Sequence, residues 1–293
     1  MNGLELARGY YNDCAKPLIE ERFPAYAGRI AAGLVGEGSE CFGFDAEVST
    51  DHDFGPRCFL WLTADDEQVI GRGLQELYDS LPLTYGGVTL VPSRETRIRS
   101  GVREIKSFFE SLLRNELPVS VYDWLRIPDQ NLAAATNGEI FTDPLGDFSM
   151  IREILKNCPE EVRLRKLSGR LFEMGQAGQY NYPRAVMRQD PVTQHLALDR
   201  FISSALMTVI ALNYRYAPFY KWLYRAALEC PVLHTTVEKI RGLAACASED
   251  ASEQIESICV DVKEELHRQG LTSSPDDFMV AQSEEIAANI ERV

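Results

Sequence analysis

The chain has 293 residues, 45% of them apolar, so it is long enough for two domains or one large domain with a substantial buried core. No stretch approaches the ~18–20 consecutive apolar residues of a membrane span, and the first residues lack the basic and apolar regions of a secretory signal. The seven cysteines are scattered and form no C-x-x-C pair, which argues against a zinc ribbon or a disulfide framework. These features predict a cytoplasmic protein without membrane contact.

The formal net charge is −14 and the sequence pI is about 4.8. Binding to a nucleic-acid backbone normally requires concentrated Lys and Arg, because counterion release dominates that affinity. The charge therefore disfavours polymeric nucleic acid and favours a small-molecule, cationic or protein substrate. One local basic cluster could still form a patch; it consists of Arg94, Arg97, Arg99, Arg103 and Lys106.

The first half of the chain alternates helical and strand patterns. Apolar residues at helical spacing predict an amphipathic helix over residues 3–22, and the apolar run 30–35 predicts a buried strand that ends at a glycine pair. A second strand pattern covers 51–63, although Gly55-Pro56 interrupts it. The later predicted elements are a helix over 65–80, strands over 88–91 and 101–106, and a helix over 107–113.

Beyond about residue 130 the pattern changes. The segment AATNGEIFTDPLGDF is predicted to be a turn-rich connection, and nearly everything after it has helical spacing. The predicted helices cover 149–157, 159–175, 190–213, 216–228, 231–247, 250–269 and 275–291. We therefore predict an α+β protein in which a mixed-sheet domain (1–135) precedes an α-helical domain (136–293) that closes a cleft.

Chemistry is concentrated in residues 35–57. Gly38 allows a tight turn and close approach of the backbone to a ligand, and Ser39 adds a hydroxyl and an N–H that could hold a phosphate oxygen. Asp51 and Asp53 are two residues apart, so on an extended segment both carboxylates project from the same face. Two such carboxylates repel each other unless a cation lies between them. Mg²⁺ is the natural candidate, because it prefers carboxylate, water and phosphate oxygens.

The glycine-serine turn, followed after residues 40–50 by Asp-x-Asp, resembles the catalytic pattern of the DNA-polymerase-β-type nucleotidyltransferase superfamily. The longer block, GSECFGFD and then DHDFGPR, looks like a bacterial family within it, domain of unknown function 4037. The resemblance implies a small mixed sheet with flanking helices and ATP or another NTP as donor. It also implies that Gly38 and Ser39 contact the donor phosphates while Asp51 and Asp53 bind Mg²⁺. His52 departs from the usual pattern, which has an apolar residue there.

The superfamily also uses a third carboxylate as general base. Glu104 lies on a predicted strand at a suitable distance along the chain and is our first candidate; Glu95, in a more polar stretch, is the second, and absence of the group is the third possibility. In the helical half, the segment from Leu212 to Trp222 resembles part of small-molecule nucleotidyltransferases in which a lysine reaches the donor triphosphate. The matching residue is Lys221, although packing alone would also explain an aromatic segment of this kind.

These observations predict metal-dependent transfer of a nucleoside monophosphate from an NTP to a hydroxyl of a small molecule or protein, catalysed by Asp51, Asp53 and Glu104. One alternative is a nucleotide-binding or regulatory module of the same fold that does not turn over. A weaker alternative is a nucleic-acid-modifying transferase, which would require the basic cluster to border the cleft.

Overall fold

The computed structural model describes residues 2–46, 54–245 and 251–290. The chain divides into two compact units, residues 1–157 and residues 158–293. This division falls later than the boundary after residue 135 that the sequence suggested. The difference arises because the segment after residue 135 contains a strand and a helix that belong to the first unit.

The first unit combines helices with two small sheets. Its helices are α1 (Gly3–Tyr10), α2 (Lys16–Arg22), α3 (Ala64–Asp79), α4 (Arg94–Ile98), α5 (Ile105–Leu113), α6 (Val121–Arg126), α7 (Asp129–Thr136) and α8 (Asp147–Lys156). A π-helical turn, Tyr11–Ala15, joins α1 to α2, and a 3₁₀ turn, Glu40–Phe42, follows the first strand. The strands are β1 (Ala31–Leu34), β2 (Phe59–Leu62), β3 (Thr84–Tyr85), β4 (Val88–Thr89), β5 (Gly101–Glu104) and β6 (Glu139–Thr142).

The main sheet is mixed and has the strand order β5-β2-β1-β6. Strand β1 runs antiparallel to both β2 and β6, whereas β2 and β5 are parallel, with Phe59 opposite Gly101 and Leu62 opposite Glu104. Strands β3 and β4 form a separate two-stranded hairpin. Because side chains alternate along a strand, β2 sends Phe59 and Trp61 to one face and Leu60 and Leu62 to the other.

Helices cover both faces of the main sheet. On one face, Leu60 and Leu62 join an apolar cluster with residues from the first three helices. On the other face, five aromatic rings pack together, with neighbouring centroids between 4.0 and 5.7 Å apart; they belong to Phe59, Trp61, Phe108, Phe109 and Phe148. Rings at this spacing add to the stabilisation that comes from burying their area. The sheet is therefore fixed from both sides, and the loops at its edges are held in place.

Helices are the only regular secondary structure in the described residues of the second unit. Its helices are α9 (Glu160–Met174), α10 (Tyr182–Met187), α11 (Pro191–Leu212), α12 (Tyr220–Leu228), α13 (His234–Ala245), α14 (Ser252–Arg268) and α15 (Met279–Ile290), and a π-helical segment, Gly175–Asn181, joins α9 to α10. Helix α11 is long and apolar enough by composition to cross a membrane, but 61% of its most apolar window is buried inside the structure. Burial of that kind is typical of the core helix of a globular bundle, and α11 contributes much of this unit's apolar core.

The α+β fold class is confirmed, with a mixed sheet first and a helical region after it. The prediction of a turn-rich connection across residues 134–148 was incomplete, because this segment also contains β6, which pairs with β1 at the edge of the sheet. Strand β6 is short and half-buried, so it lacks the apolar alternation that marks a strand in a sequence.

Candidate functional site

The chain leaves β1 through a turn that we call the glycine turn, residues 36–38. Gly36 has φ of 137°, a conformation that an L side chain rarely adopts. The side chain of Asn137 holds this residue from both sides: the Gly36 N–H donates to Asn137 Oδ1 at 3.0 Å, and Asn137 Nδ2 donates to the Gly36 carbonyl at 2.7 Å. The Asn137 side chain thus makes the two hydrogen bonds that a neighbouring strand would make with Gly36 if β1 continued.

Asn137 is itself held by a second layer of contacts. Arg152, on α8, donates to the carbonyls of Thr136, Asn137 and Gly138 at 3.0, 2.6 and 3.1 Å. These carbonyls lie where α7 ends, so the guanidinium pairs groups that a helix leaves without partners. The Gly138 N–H also donates to the Cys41 carbonyl at 2.8 Å. The glycine turn and the 3₁₀ turn after it are therefore anchored to α7 and α8.

Gly38 leaves room for the Glu40 carboxylate, which would have to shift if residue 38 had a side chain. A Cβ at Gly38 would lie 2.5 Å from a carboxylate oxygen of Glu40, closer than real Cβ atoms come to other atoms. Ser39 precedes the 3₁₀ turn and is half-buried, and its carbonyl accepts from the Phe42 and Phe44 N–H groups at 3.1 and 2.9 Å. The structure thus confirms a tight turn at these two residues, while their contact with donor phosphates stays a prediction.

A buried ion pair lies beneath the glycine turn. Arg57 Nη2 donates to Glu40 Oε1, and the two side chains are only 3% and 8% exposed. Arg57 Nε and Nη1 are also buried, yet neither has a hydrogen-bond partner among the residues that the structure describes. Buried donors without partners are rare in folded proteins, because each carries an uncompensated desolvation cost. Arg57 is therefore equipped to bind one more anionic group.

A cavity of about 330 Å³ opens beside the glycine turn, and we call it the arginine cavity. Its charged lining is dominated by four arginines, Arg57, Arg99, Arg103 and Arg114, against two glutamates, Glu37 and Glu40. The rest of the wall is largely apolar and includes Leu34, Phe59, Phe108 and Leu112. An excess of positive charge in a cavity of a chain with net charge −14 indicates an anionic ligand.

Two of these arginines are held by the protein itself. Arg103 donates to the carbonyls of Val102 and Arg97 at 2.7 and 2.6 Å, and its guanidinium carbon lies 5.9 Å from the centre of the Phe59 ring. Burial lowers the pKa of Arg103 from its usual value. Arg114 Nη2 lies 3.3 Å from Glu37 Oε1 at the rim. The fold thus fixes Arg103 at the cavity wall, whereas Arg114 forms a partly exposed ion pair at the rim.

Asp51 and Asp53, and His52 between them, lie outside the described residues. Within the described part of the chain, no group of three or more His, Cys, Asp or Glu side chains is arranged to hold a metal ion. Two carboxylates two residues apart remain a donor set of the kind that Mg²⁺ prefers. The magnesium site at Asp51 and Asp53 therefore stays a prediction from the sequence.

Glu104 has a structural task in this fold. It ends β5, and its two carboxylate oxygens accept from the Lys106 and Ser107 N–H groups at 2.8 and 2.7 Å, which caps α5. It lines a different cavity, between α3 and β5, and not the arginine cavity. In the sheet, Glu104 is opposite Leu62, the last residue of β2. The role of Glu104 as general base stays a prediction, and the hydrogen bonds that its carboxylate accepts from α5 do not favour it.

Glu95, the second candidate, lies in α4, just before β5. Because β2 and β5 are parallel, their first residues lie at the same end of the sheet. That is the end at which the chain enters β2 from residue 54. Glu95 therefore has a better position than Glu104 relative to that end of β2.

Lys221 lies on α12 in the second unit, and its side chain is exposed. Its Nζ atom is 5.5 Å from the centre of the Trp222 ring, close enough for a cation–π contact. Its expected contact with the donor triphosphate stays a prediction.

The sequence alone did not identify three functional candidates: Arg57, Arg114 and Asn137. Arg57 stands inside the quoted DHDFGPR block, so its position was visible, but its burial and pairing with Glu40 depend on the fold. Arg99 and Arg103 belong to the basic cluster that we noted, and both reach the arginine cavity. Arg97 lines another cavity, under the β3–β4 hairpin.

The chain is similar to one known family and to one solved structure. Residues 124–223, a little over a third of the chain, match the family described as domain of unknown function (DUF4037). This confirms the resemblance to that family, on a segment other than the one from which we inferred it. The chain is also similar to the crystal structure of a nucleotidyltransferase-like protein from Exiguobacterium sibiricum, with 11% identity, a TM-score of 0.42, and coverage of 95% of this chain and 80% of that chain. No curated protein matches the chain.

Proposed function

We propose that the chain is a magnesium-dependent nucleotidyltransferase that moves a nucleoside monophosphate from an NTP to a hydroxyl of a small molecule or protein. The observation that carries this proposal is the arginine cavity beside the glycine turn. A triphosphate brings several negative charges, and four arginines in one small cavity are suited to attract and orient them. The sequence pattern around Asp51 and Asp53 supplies the second part, a donor set for the metal.

The described residues have distinct tasks in this proposal. The glycine turn allows the donor phosphates to approach the backbone, because Gly36 and Gly38 carry no side chain that would block them. Arg57 and Arg114 offset the negative charge that grows on the leaving pyrophosphate. Asp51 and Asp53 would hold Mg²⁺, which supplies further charge neutralisation when bound.

The acceptor hydroxyl needs a general base, and two carboxylates compete for this role. Glu104 is the candidate from the sequence, but both of its oxygens already accept hydrogen bonds from the first turn of α5. Glu95 lies at the end of β5 that adjoins the start of β2. The Glu95 carboxylate also accepts local hydrogen bonds, from its own backbone and from Ser93. We prefer Glu95 on its position alone, and a comparison of transfer rates in Glu95→Gln and Glu104→Gln decides between them.

A module that binds nucleotide without turnover is the second candidate function. The observation that favours it is the use of Glu104 as a helix cap, because a site without a general base would hold an NTP and not transfer from it. Binding and transfer must therefore be measured separately.

The test begins with calorimetry of ATP, GTP, CTP and UTP, with and without Mg²⁺. We expect at least one NTP to bind in the millimolar range or better with Mg²⁺ and much more weakly without it. Asp53→Asn should weaken the magnesium-dependent binding at least about tenfold. The matched control is Asp199→Asn, an exposed aspartate on α11, which should bind like the wild type.

Transfer is then measured with an NTP labelled at the α-phosphate. Label that appears on a small molecule or a protein, with release of pyrophosphate, supports the enzyme, whereas binding without transfer supports the non-catalytic module. Label on a single-stranded oligonucleotide would instead support the nucleic-acid alternative, which shares Arg99 and Arg103 at the cavity. Tight binding that does not depend on Mg²⁺ would contradict the proposed mechanism.

A further inference from the structure

Arg114 has an unusual backbone conformation for its residue type. It follows the last residue of α5 with φ 53° and ψ 32°, which is the left-handed region that glycine normally occupies after a helix. A side chain in this region is strained. The conformation is fixed from outside, because Asn131 Nδ2, which is buried, donates to the Leu113 carbonyl at 3.0 Å.

At the end of α5, glycine would therefore be less strained than arginine, and the helix end alone does not account for an arginine here. Strain of this kind tends to occur where a side chain has a functional task. The side chain of Arg114 extends to the rim of the arginine cavity, where Nη2 lies 3.3 Å from Glu37 Oε1 in the glycine turn. This pair is partly in solvent, since the two side chains are 66% and 32% exposed.

We infer that Arg114 selects the phosphate ligand of the arginine cavity by exchange: a phosphate oxygen takes the place of Glu37 on the Arg114 guanidinium when the ligand enters. This inference rests on the proposed function for the identity of the ligand, the triphosphate of an NTP. Glu37 then acts as a competitor that occupies Arg114 in the empty cavity and is displaced by a more highly charged group.

The exchange is favourable because a contact between Arg114 and a phosphate is stronger than the exposed ion pair between Arg114 and Glu37. An exposed ion pair contributes little to stability, since water and salt screen it. A guanidinium and a phosphate form a charge-assisted pair that is often bidentate, and in a partly enclosed cavity it is screened less. The buried Arg57, whose Nε and Nη1 have no partner among the described residues, adds to the attraction that draws the phosphate past the rim.

The experiment compares four single variants and one double variant by calorimetry with Mg²⁺ and the NTP that binds most tightly. Arg114→Gly removes the guanidinium and relieves the strained backbone, so affinity should fall about tenfold, as expected for loss of a charge-assisted contact. Its melting temperature should at the same time equal that of the wild type or exceed it by up to about 4 °C. Arg114→Lys keeps the charge and should lose no more than about threefold in affinity.

The matched control for backbone strain is Gln189→Gly. Gln189 follows α10 in the second unit, has φ 55°, and is exposed. Its replacement should relieve strain of the same kind without any change in affinity. Equal loss of affinity in Gln189→Gly and Arg114→Gly would overturn the inference.

Glu37→Gln provides the sharpest part of the test. If Glu37 competes for Arg114, its neutral replacement should raise affinity about threefold, and it should raise it only when Arg114 is present. In the Arg114→Gly background, Glu37→Gln should therefore change affinity by less than about 1.5-fold. The same gain in both backgrounds would mean that Glu37 merely repels the ligand, and the exchange would be wrong.

Inorganic tripolyphosphate with Mg²⁺ separates this inference from the proposed function. If tripolyphosphate binds and responds to the same variants while every NTP fails to bind, the exchange stands and the nucleotidyltransferase proposal falls. If an NTP binds and Arg114→Gly binds it as tightly as the wild type, the exchange falls and the proposed function stands. If the wild type binds neither ligand, both are overturned.

Discussion

Arg57 in the first unit and Arg163 in the second are both buried, but their hydrogen bonds differ. Arg163 on α9 uses all three of its nitrogens: Nε and Nη2 donate to Glu160 at 2.8 and 2.6 Å, and Nη1 contacts the Ala211 carbonyl at 3.5 Å. Its guanidinium carbon also lies 4.3 Å from the centre of the Tyr214 ring. Arg57 uses one nitrogen, on Glu40, and leaves two buried without a described partner.

The contrast extends to the acidic partners. Glu160 is 58% exposed, so its charge stays hydrated, whereas Glu40 is only 8% exposed. Arg163 is thus a structural arginine, each of whose three nitrogens has a partner within the second unit. Arg57 has two buried nitrogens at the wall of a cavity that find no partner among the described residues, which costs stability unless a ligand pairs with them. This difference is the reason why we propose Arg57, and not Arg163, as a ligand-binding residue.

Removal of the acidic partner should give the largest difference between the two arginines. Glu40→Gln leaves the Arg57 charge buried without compensation, so we expect the free energy of unfolding of the first unit to fall by about 3–5 kcal/mol. Glu160→Gln should cost at most about 1 kcal/mol, because Glu160 is exposed and Arg163 keeps its other contacts. Denaturant unfolding, with hydrogen exchange to assign the loss to each unit, measures both values.

Equal losses in the two variants would remove the distinction between the arginines. A double variant, Glu40→Leu with Arg57→Met, provides a further check. It removes both charges at once and should recover much of the stability, yet it should bind Mg²⁺ and NTP poorly. Normal binding in this double variant would mean that Arg57 has no part in the site.

Each unit also has an asparagine whose side chain hydrogen-bonds to the backbone of a loop, Asn137 in the first unit and Asn213 in the second. Asn137 makes two hydrogen bonds to Gly36, and Asn213, at the end of α11, makes a similar pair with Val232, each at 3.0 Å. Replacement of either asparagine with Ala should cost about 2 kcal/mol of stability, because buried or half-buried backbone groups lose their partners. Only Asn137→Ala should also weaken Mg²⁺-dependent NTP binding, since it loosens the glycine turn. A loss of affinity in Asn213→Ala as large as in Asn137→Ala would show that the effect comes from general destabilisation.

The sequence predicted the order and type of most elements because their signals are local. Helix α3, for instance, begins with a Thr63 cap and three acidic residues in its first turn, all visible in the chain. The glycine turn was also predictable, since residues 36–38 follow a short apolar run. Strand β6 was missed because only its pairing with β1 makes it a strand.

The arginine cavity could not be predicted for a related reason. Arg57, Arg103 and Arg114 meet because β2 and β5 are parallel neighbours and α5 returns along the sheet, and no local pattern records that arrangement. The sequence likewise suggested Glu104 as a catalytic group from its strand position. The register and the hydrogen bonds to α5 determine what its carboxylate does in the fold.

The smallest expected effect is a change in stability, and it distinguishes Glu104 as a helix cap from Glu104 as a general base. Burial raises the pKa of Glu104, but hydrogen bonds from Ser107 and Lys106 outweigh it and hold the pKa below its usual value. A depressed pKa means that the ionised cap stabilises the fold above the unfolded pKa, near 4.3, and that this stability is lost as the pH falls through the folded pKa. Glu104→Gln should therefore cost only about 0.5–1 kcal/mol at pH 7, and the cost should vanish in more acidic solution.

The Asp190 cap of α11 is the counterpart in the second unit, since its hydrogen bonds from Thr193 also lower its pKa. Asp190→Asn should show a loss of stability with the same sign and the same dependence on pH. If Glu104 is only a cap, both variants should keep NTP binding and transfer, because both changes affect helix ends and nothing else. If Glu104→Gln abolishes transfer at pH 7 while its stability falls by no more than that of Asp190→Asn, Glu104 is the general base. The preference for Glu95 would then be wrong.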